Sequence, residues 1–307
     1  LTGRTTPAAP ASSYRERTPV QTWKQAAPLM SGLGITRLTD ITRIDRLGLP
    51  VWASVRPRGR VMHVHAGKAL RSDDARIGAL MEAVEYAAAE PSGSPWKRRS
   101  MTLGRLARQF DGRFGLPDLA PRVGLDAQPD DKVATVDCEL LNEASTMRLP
   151  ATLVFAPFEG DVAAALYGSP MAGLASGNSV AEASLHGLLE ILERDAVSMN
   201  KARDASSWVD TDSLPETFAN LARRWSTLGV ELAVRHVPSP VGLPCFEAFL
   251  HEAQTAGVRL AAGAGLHVDR EIALARAVCE AAQSRLSLIH GARDDIGLYF
   301  SKTAQVD

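Results

Sequence analysis

The chain reads as an α+β protein in which long helices pack on mainly antiparallel sheet. Three observations predict this: strand-like pairs joined by turn residues, three long helical patterns interleaved with them, and the absence of a βαβα rhythm or of a GxGxxG or GxxxxGK(S/T) phosphate loop. With 307 residues, 45% hydrophobic and 22% charged, the chain can bury a large core. Lys plus Arg total 34 against 35 Asp plus Glu, a formal charge of -1. No sequence-wide basic field is available to hold nucleic acid or an anionic membrane, and neither is expected as a partner.

Residues 1–18 are small, polar and Pro-containing, so a flexible N-terminal segment is expected there, followed by one domain over 19–307 whose C-terminal end is left open. The first residues lack the apolar core of a signal peptide and no later run reaches a membrane-spanning length, so a cytoplasmic protein is expected. Cys138, Cys245 and Cys279 lie far apart without a CxxC pair, which suggests reduced, partly buried thiols.

A helix is expected over 20–32, then strands over 51–55 and 61–65 separated by Arg56-Pro57-Arg58-Gly59. The first long helix is placed over 73–90, with Ser72 as N-cap and Pro91-Ser92-Gly93 as its stop. A helix over 101–110, a Pro/Gly-rich connector and strands over 132–140 and 148–155 follow. A glycine-bearing loop, 167–178, feeds the second long helix over 179–201. Beyond a helix over 214–228, strands are expected over 230–237, 245–251 and 258–262. The third long helix occupies 270–290 with Asp269 as its cap.

The chemistry sits on those three helices. Glu82 and Glu85 are three apart and share a face of the first; Glu182, His186, Glu190 and Glu193 recur at spacings of four, four and three along the second; Glu280 and Gln283 are three apart on the third. Such stripes are ordinarily the solvated side of an amphipathic helix, and Ser179 to Glu182 also fits a capping box. Solvated helix faces, however, interleave lysine with glutamate, and the first two stripes carry no lysine. Their counter-charge must come from elsewhere, and a divalent cation would supply it. Mg²⁺ takes oxygen ligands and is commonly shared between a few carboxylates and nucleotide phosphates, which makes an acid-lined nucleotide site without a P-loop a candidate. Arg194, Arg15 and Lys68 are candidate phosphate contacts. His63 and His65 share one side of a strand, but no third ligand is placed near them. His186 lies on the acidic stripe as a candidate general base.

The stretch Leu174-Ala-Ser-Gly-Asn-Ser-Val-Ala-Glu-Ala-Ser-Leu-His-Gly-Leu-Leu-Glu-Ile-Leu-Glu-Arg-Asp-Ala196 resembles the second nucleotide motif of the YcaO family, a Gly-Asn turn before a Glu-Ala helix ending in Glu-x-x-Glu-Arg. Gly78 to Tyr86 is similar to the family's first motif, Ser-x-x-x-Glu-x-x-Glu-Arg, and Arg276 to Arg285 to its third, Glu-x-x-Gln followed by Arg. The resemblance runs from about Arg15 to Asp295 with the motifs in order. It implies the family's fold, with ATP and Mg²⁺ held between helices and antiparallel sheet. By position it implies Glu82, Glu85, Glu190 and Glu193 as metal ligands, with Glu182 near the nucleotide or metal. Asn178, Arg194, Glu280 and Gln283 would contact the nucleotide, and Arg15 and Thr22 have the spacing of the family's N-terminal ATP contacts. Gly78 and Tyr86 depart from the first motif, where the family has Ser and Arg.

The activity so implied is ATP-dependent activation of a peptide backbone amide. A nucleophile adds to the carbonyl, the oxyanion takes the γ-phosphoryl group, and phosphate departs. The form of residues 80–85, together with Leu49-Pro50-Val51 and Arg56-Pro57, looks closest to the thioamide-forming subgroup that acts with a TfuA-like protein. A ribosomally made precursor peptide, a TfuA-like partner and a sulfur donor are the expected partners, and a homodimer is compatible with the reading. Azoline-forming cyclodehydration is the alternative within the family; such enzymes commonly end in a Pro-rich tail, and this sequence ends at Asp307 without one. A nucleotide-binding scaffold without catalysis is the alternative of another class, favoured by Gly78 and Tyr86.

Overall fold

The computed structural model describes residues 14–91, 97–119, 121, 122, 124, 126–141, 143–168, 170–253 and 258–292. Most of the expected flexible segment 1–18, the Ser92-Gly93 helix stop and the residues beyond 292 lie outside these. In chain order the elements are α1 (Pro19–Ala26), β1 (Arg37–Asp40), β2 (Val51–Val55), β3 (Val64–Lys68), α2 (Ser72–Ala89), β4 (Arg99–Thr102), α3 (Leu103–Gln109), β5 (Lys132–Glu139), β6 (Thr146–Pro150) and α4 (Val162–Tyr167). They continue with α5 (Val180–Arg203), β7 (Ser207–Val209), α6 (Glu216–Ser226), β8 (Glu231–His236), β9 (Cys245–His251), β10 (Leu260–Leu266) and α7 (Arg270–His290). Every strand pairing is antiparallel, in agreement with the α+β expectation.

The chain packs as two compact units. The first, residues 1–58, 62–84 and 175–307, holds the sheets β1-β2-β3 and β10-β9-β8-β7. Its main core joins Leu47, Leu49 and Val51 to Phe218, Trp225 and the buried face of α7. Two glycines let helices lie directly on strands here. A Cβ on Gly67 of β3 would come within 2.1 Å of Ala75 O and Ala79 N of α2, and one on Gly263 of β10 within 2.2 Å of Ala281 N of α7. Close approach of backbone to backbone needs the missing side chain, and it brings α2 and α7 down beside Lys68 at the end of β3. The second unit, residues 59–61 and 85–174, holds the sheet β4-β5-β6 and packs α3 and α4 around Met101, Leu106, Phe110, Val133 and Leu166.

Several boundaries differ from expectation. The strand expected over 61–65 begins at Val64, because the turn after β2 extends to His63, whose carbonyl accepts from Arg56 N at 2.7 Å. The shift leaves His63 ahead of the strand and buries His65 completely within it, so the two do not present a pair to one side. The helix expected from Met101 starts at Leu103: Met101 and Thr102 pair with β5, and the Thr102 hydroxyl caps Arg105 N at 3.3 Å. The strand expected over 148–155 starts earlier, at Thr146, and passes at Ala151 into a 3₁₀ turn. The short elements β1, α4 and β7 carry too little pattern to be read from sequence.

Candidate functional site

All the geometry below belongs to the first unit, and it begins where Ser179 starts α5. The Ser179 hydroxyl accepts from Glu182 N at 3.1 Å, as a cap should. The Glu182 carboxylate does not turn back to close a capping box. It accepts from Glu16 N, Arg15 Nη1 and Asn178 Nδ2, each at 3.0 Å. Thr22 Oγ1 donates to Asn178 Oδ1 at 2.8 Å. Arg15, Thr22, Asn178 and Glu182, four residues spread over 167 positions, thus form one hydrogen-bonded clasp. Burial acts to raise the Glu182 pKa, but the donors from Glu16, Asn178 and Arg15 outweigh it and hold the carboxyl below its usual range.

Beyond the clasp, acids and cations alternate. Lys68 Nζ meets Glu280 Oε2 at 3.1 Å, and Ala66 N donates to Glu82 Oε2 at 3.0 Å, two residues along β3. Burial works to lower the Lys68 pKa; Glu280 and Glu82 more than offset it, and the ammonium stays charged. Glu193 is buried, accepts from Leu266 N at 2.9 Å and lies 3.5 Å from Arg276 Nη2. Burial and the like charge of Glu280 push its carboxyl up, against the pull of Arg276. Arg276 Nη1 reaches His186 Nε2 at 3.3 Å. A guanidinium has only donors, so Nε2 must be the lone-pair nitrogen and the proton sits on Nδ1. Burial, then Arg15, Arg276 and Lys68, depress the His186 pKa to about 3. With its lone pair engaged and its protonated form opposed by three cations, His186 is not poised as the general base the sequence suggests; it is a neutral acceptor that orients Arg276.

The remaining expected residues are less gathered. Glu190 turns to Arg194 Nε at 2.8 Å, a pair one helical turn apart with Arg194 well exposed. Gln283 is buried with Oε1 lacking a hydrogen-bond partner among the described residues. Glu85 belongs to the second unit. Among the described residues no three His, Cys, Asp or Glu side chains converge as a metal-holding group, so Glu82, Glu190 and Glu193 do not stand as a ready-made cage. The counter-charge missing from the acidic stripes comes instead from Lys68, Arg276 and Arg15 on other elements. Arg285 of the third motif is buried against Asp45 at 3.1 Å and Glu252 at 2.8 Å, a network that sequence reading missed. Tyr14, whose hydroxyl donates to Asp269 at 3.2 Å, was also missed; it closes a cavity of about 30 Å³ bounded by Arg15, His186, His267 and Arg276.

The donor set fits a magnesium nucleotide: the acids offer oxygen only, cations adjoin them, and the unpartnered Gln283 oxygen and the Arg276 Nε are buried polar atoms awaiting partners. Residues 66–307 match the family model described as YcaO cyclodehydratase, ATP- and Mg²⁺-binding. The chain belongs to the YcaO family. Solved YcaO structures share its fold: the YcaO protein of Methanopyrus kandleri bound with AMPPCP and Mg²⁺ superposes with a TM-score of 0.69 at 25% identity, covering 91% of this chain and 70% of that one. A heterocyclase in complex with substrate and cofactor gives a TM-score of 0.73 at 23% identity, over 90% of this chain but 41% of the heterocyclase. A Rhizobium leguminosarum bv. trifolii protein, named for its place in the tfuA 3′ region, is 30% identical over 92% of this chain and 70% of its own length. Among the described residues no helix is long and apolar enough to cross a membrane.

Proposed function

We propose that this YcaO protein binds ATP and Mg²⁺ and activates a backbone amide of a ribosomally made peptide, replacing its oxygen by sulfur with the help of a TfuA-like partner and a sulfur donor. The observation that carries the reading is the alternation of Glu82, Glu193 and Glu280 with Lys68 and Arg276 around a partly buried site. When bound, ATP with magnesium supplies the phosphoryl group that turns an amide oxygen into a leaving group. Glu82, Glu190 and Glu193 are the carboxylates available to the metal. Lys68, Arg276, Arg15 and Arg194 offset phosphate charge, and a low-dielectric, preorganised set of this kind stabilises charge that moves during transfer. Asn178, Thr22, Glu182, Glu280 and Gln283 shape the nucleotide pocket, and His186 holds Arg276 in place. The thioamide branch draws support from the form of residues 80–85 and from the relative's tfuA neighbourhood. The family's description as cyclodehydratase favours azoline formation as the second reading. Reconstitution with precursor peptide, ATP, sulfide and the TfuA-like protein decides. A mass gain equal to sulfur minus oxygen is expected; loss of one water without sulfide or partner would establish the cyclodehydratase, and no ATP use would leave a scaffold.

A further inference from the structure

The cavity that Tyr14 closes is bordered by donors whose acceptors lie elsewhere. Its own acceptors are engaged: the Glu182 oxygens by Arg15, Glu16 N and Asn178, and His186 Nε2 by Arg276. His267 is buried at 3% exposure, and its Nδ1 accepts from Asp269 N at 3.0 Å. A backbone N–H only donates, so Nδ1 holds the lone pair and the neutral ring carries its proton on Nε2. Burial, then Arg276, lower the His267 pKa against the pull of Asp269, which favours that neutral ring. Among the described residues Nε2 makes no hydrogen bond. The Tyr14 ring meets His267 edge-on at 5.0 Å between centroids while its hydroxyl holds Asp269, so the imidazole is fixed from both sides.

We propose that this cavity is the subsite for the carbonyl oxygen of the amide being activated, with His267 Nε2–H donating to that oxygen and Arg276 beside it. His267 is then a catalytic residue. The size fits: about 30 Å³ takes about two waters, enough for a carbonyl tip and far too little for a triphosphate. The lining fits as well, since Leu185 and Leu189 suit a neutral group better than a phosphate. Tyr14 (55%) and Leu185 (43%) are exposed, so they offer apolar surface to the flanking peptide. Position supplies the link to the nucleotide. Arg276 borders the cavity and also reaches Glu193 at 3.5 Å, so an oxygen held here adjoins the carboxylates that face the metal and phosphates. As the nucleophile bonds to carbon, the C=O π pair moves onto the oxygen, and a preorganised N–H binds more strongly as that charge grows. The inference rests on the amide-activation reading above and holds for either nucleophile.

Two measurements test His267. With precursor peptide present, His267→Leu should slow ATP turnover by about 100-fold or more while calorimetric ATP affinity stays near the wild-type value. His267→Gln, which keeps an N–H within reach, should recover about tenfold of the loss. Turnover as fast as the wild type in His267→Leu overturns the proposal, and so does a fall in ATP affinity that accounts for the whole loss. A wild type that consumes no ATP strikes the amide-activation reading instead. The second measurement needs no turnover. In protein carrying nitrogen-labelled histidine, with the His267 signals assigned by their loss in His267→Gln, the neutral ring should hold its proton on Nε2. That proton should shift when N-methylacetamide, a minimal backbone amide, is added with AMPPCP and Mg²⁺ present. A proton on Nδ1, no response to N-methylacetamide, or a response to inorganic phosphate in its place overturns the proposal.

Discussion

His186 offers a direct reading of the electrostatics of the site. In the folded protein its pKa is depressed to about 3, first by burial and then by Arg15, Arg276 and Lys68, while a backbone hydrogen bond at Ser176 works the other way. A group whose folded pKa lies below its unfolded value contributes stability that is present above the unfolded pKa and lost as pH falls toward the folded one. With an unfolded value of about 6.5, the unfolded chain takes a proton between pH 7 and 5 that the folded chain refuses. The linkage integral over that interval is about 2 kcal/mol. Urea unfolding followed by circular dichroism at pH 7, 6 and 5 measures it, with His186→Gln as the comparison because glutamine still accepts from Arg276. The wild type should lose about 2 kcal/mol more than the variant across the interval. The raised carboxyl of Glu193 stabilises the folded state as pH falls, the opposite sign, but it is common to both proteins and cancels in the difference. Equal losses in the two proteins, or an NMR titration of His186 near 6.5, would refute the neutral, cation-bound imidazole and restore it as a general base.

Three further outcomes follow from particular contacts. Glu190→Gln and Glu193→Gln should weaken ATP binding and flatten its Mg²⁺ dependence in calorimetry; unchanged affinity and unchanged dependence in both would remove these residues from the metal site. Residues 14–24, tied to Glu182 of α5 and to Asn178 just ahead of it, should exchange amide hydrogens more slowly with nucleotide than without, and equal protection would mean that the segment does not close over the phosphates. Asp45→Asn should destabilise the fold by about 3–5 kcal/mol in denaturant melts, because it breaks a buried pair and leaves Arg285 short of compensation. A loss below 1 kcal/mol would show that Glu252 alone suffices.

The long helices were legible because their information is local. Asp269 ahead of the 270–290 pattern and Ser179 ahead of the second pattern announce helix starts, and both cap in the structure. The carboxylates at three- and four-residue spacings could be assigned to shared faces for the same reason, and the order of three motifs carried the family. What each acid faces could not be read, since the partners are distant in sequence. Glu182 looked as fit for a capping box as for a ligand until Arg15 and Glu16, more than 160 residues earlier, took its oxygens. His186 looked like a base until Arg276, from another helix, claimed its lone pair. Asp45 and Arg285 carried no sequence signal of their pairing at all. Helix periodicity and caps depend on neighbours within about one turn of chain, whereas the charge state of a buried side chain depends on whichever groups the fold brings within a few ångströms. The sequence therefore determined which residues carry the acids and on which helices; the tertiary structure alone decided which acids remain charged, which cations oppose them, and that α5 buries Glu182 and Glu193 while Glu190 turns to the exposed Arg194.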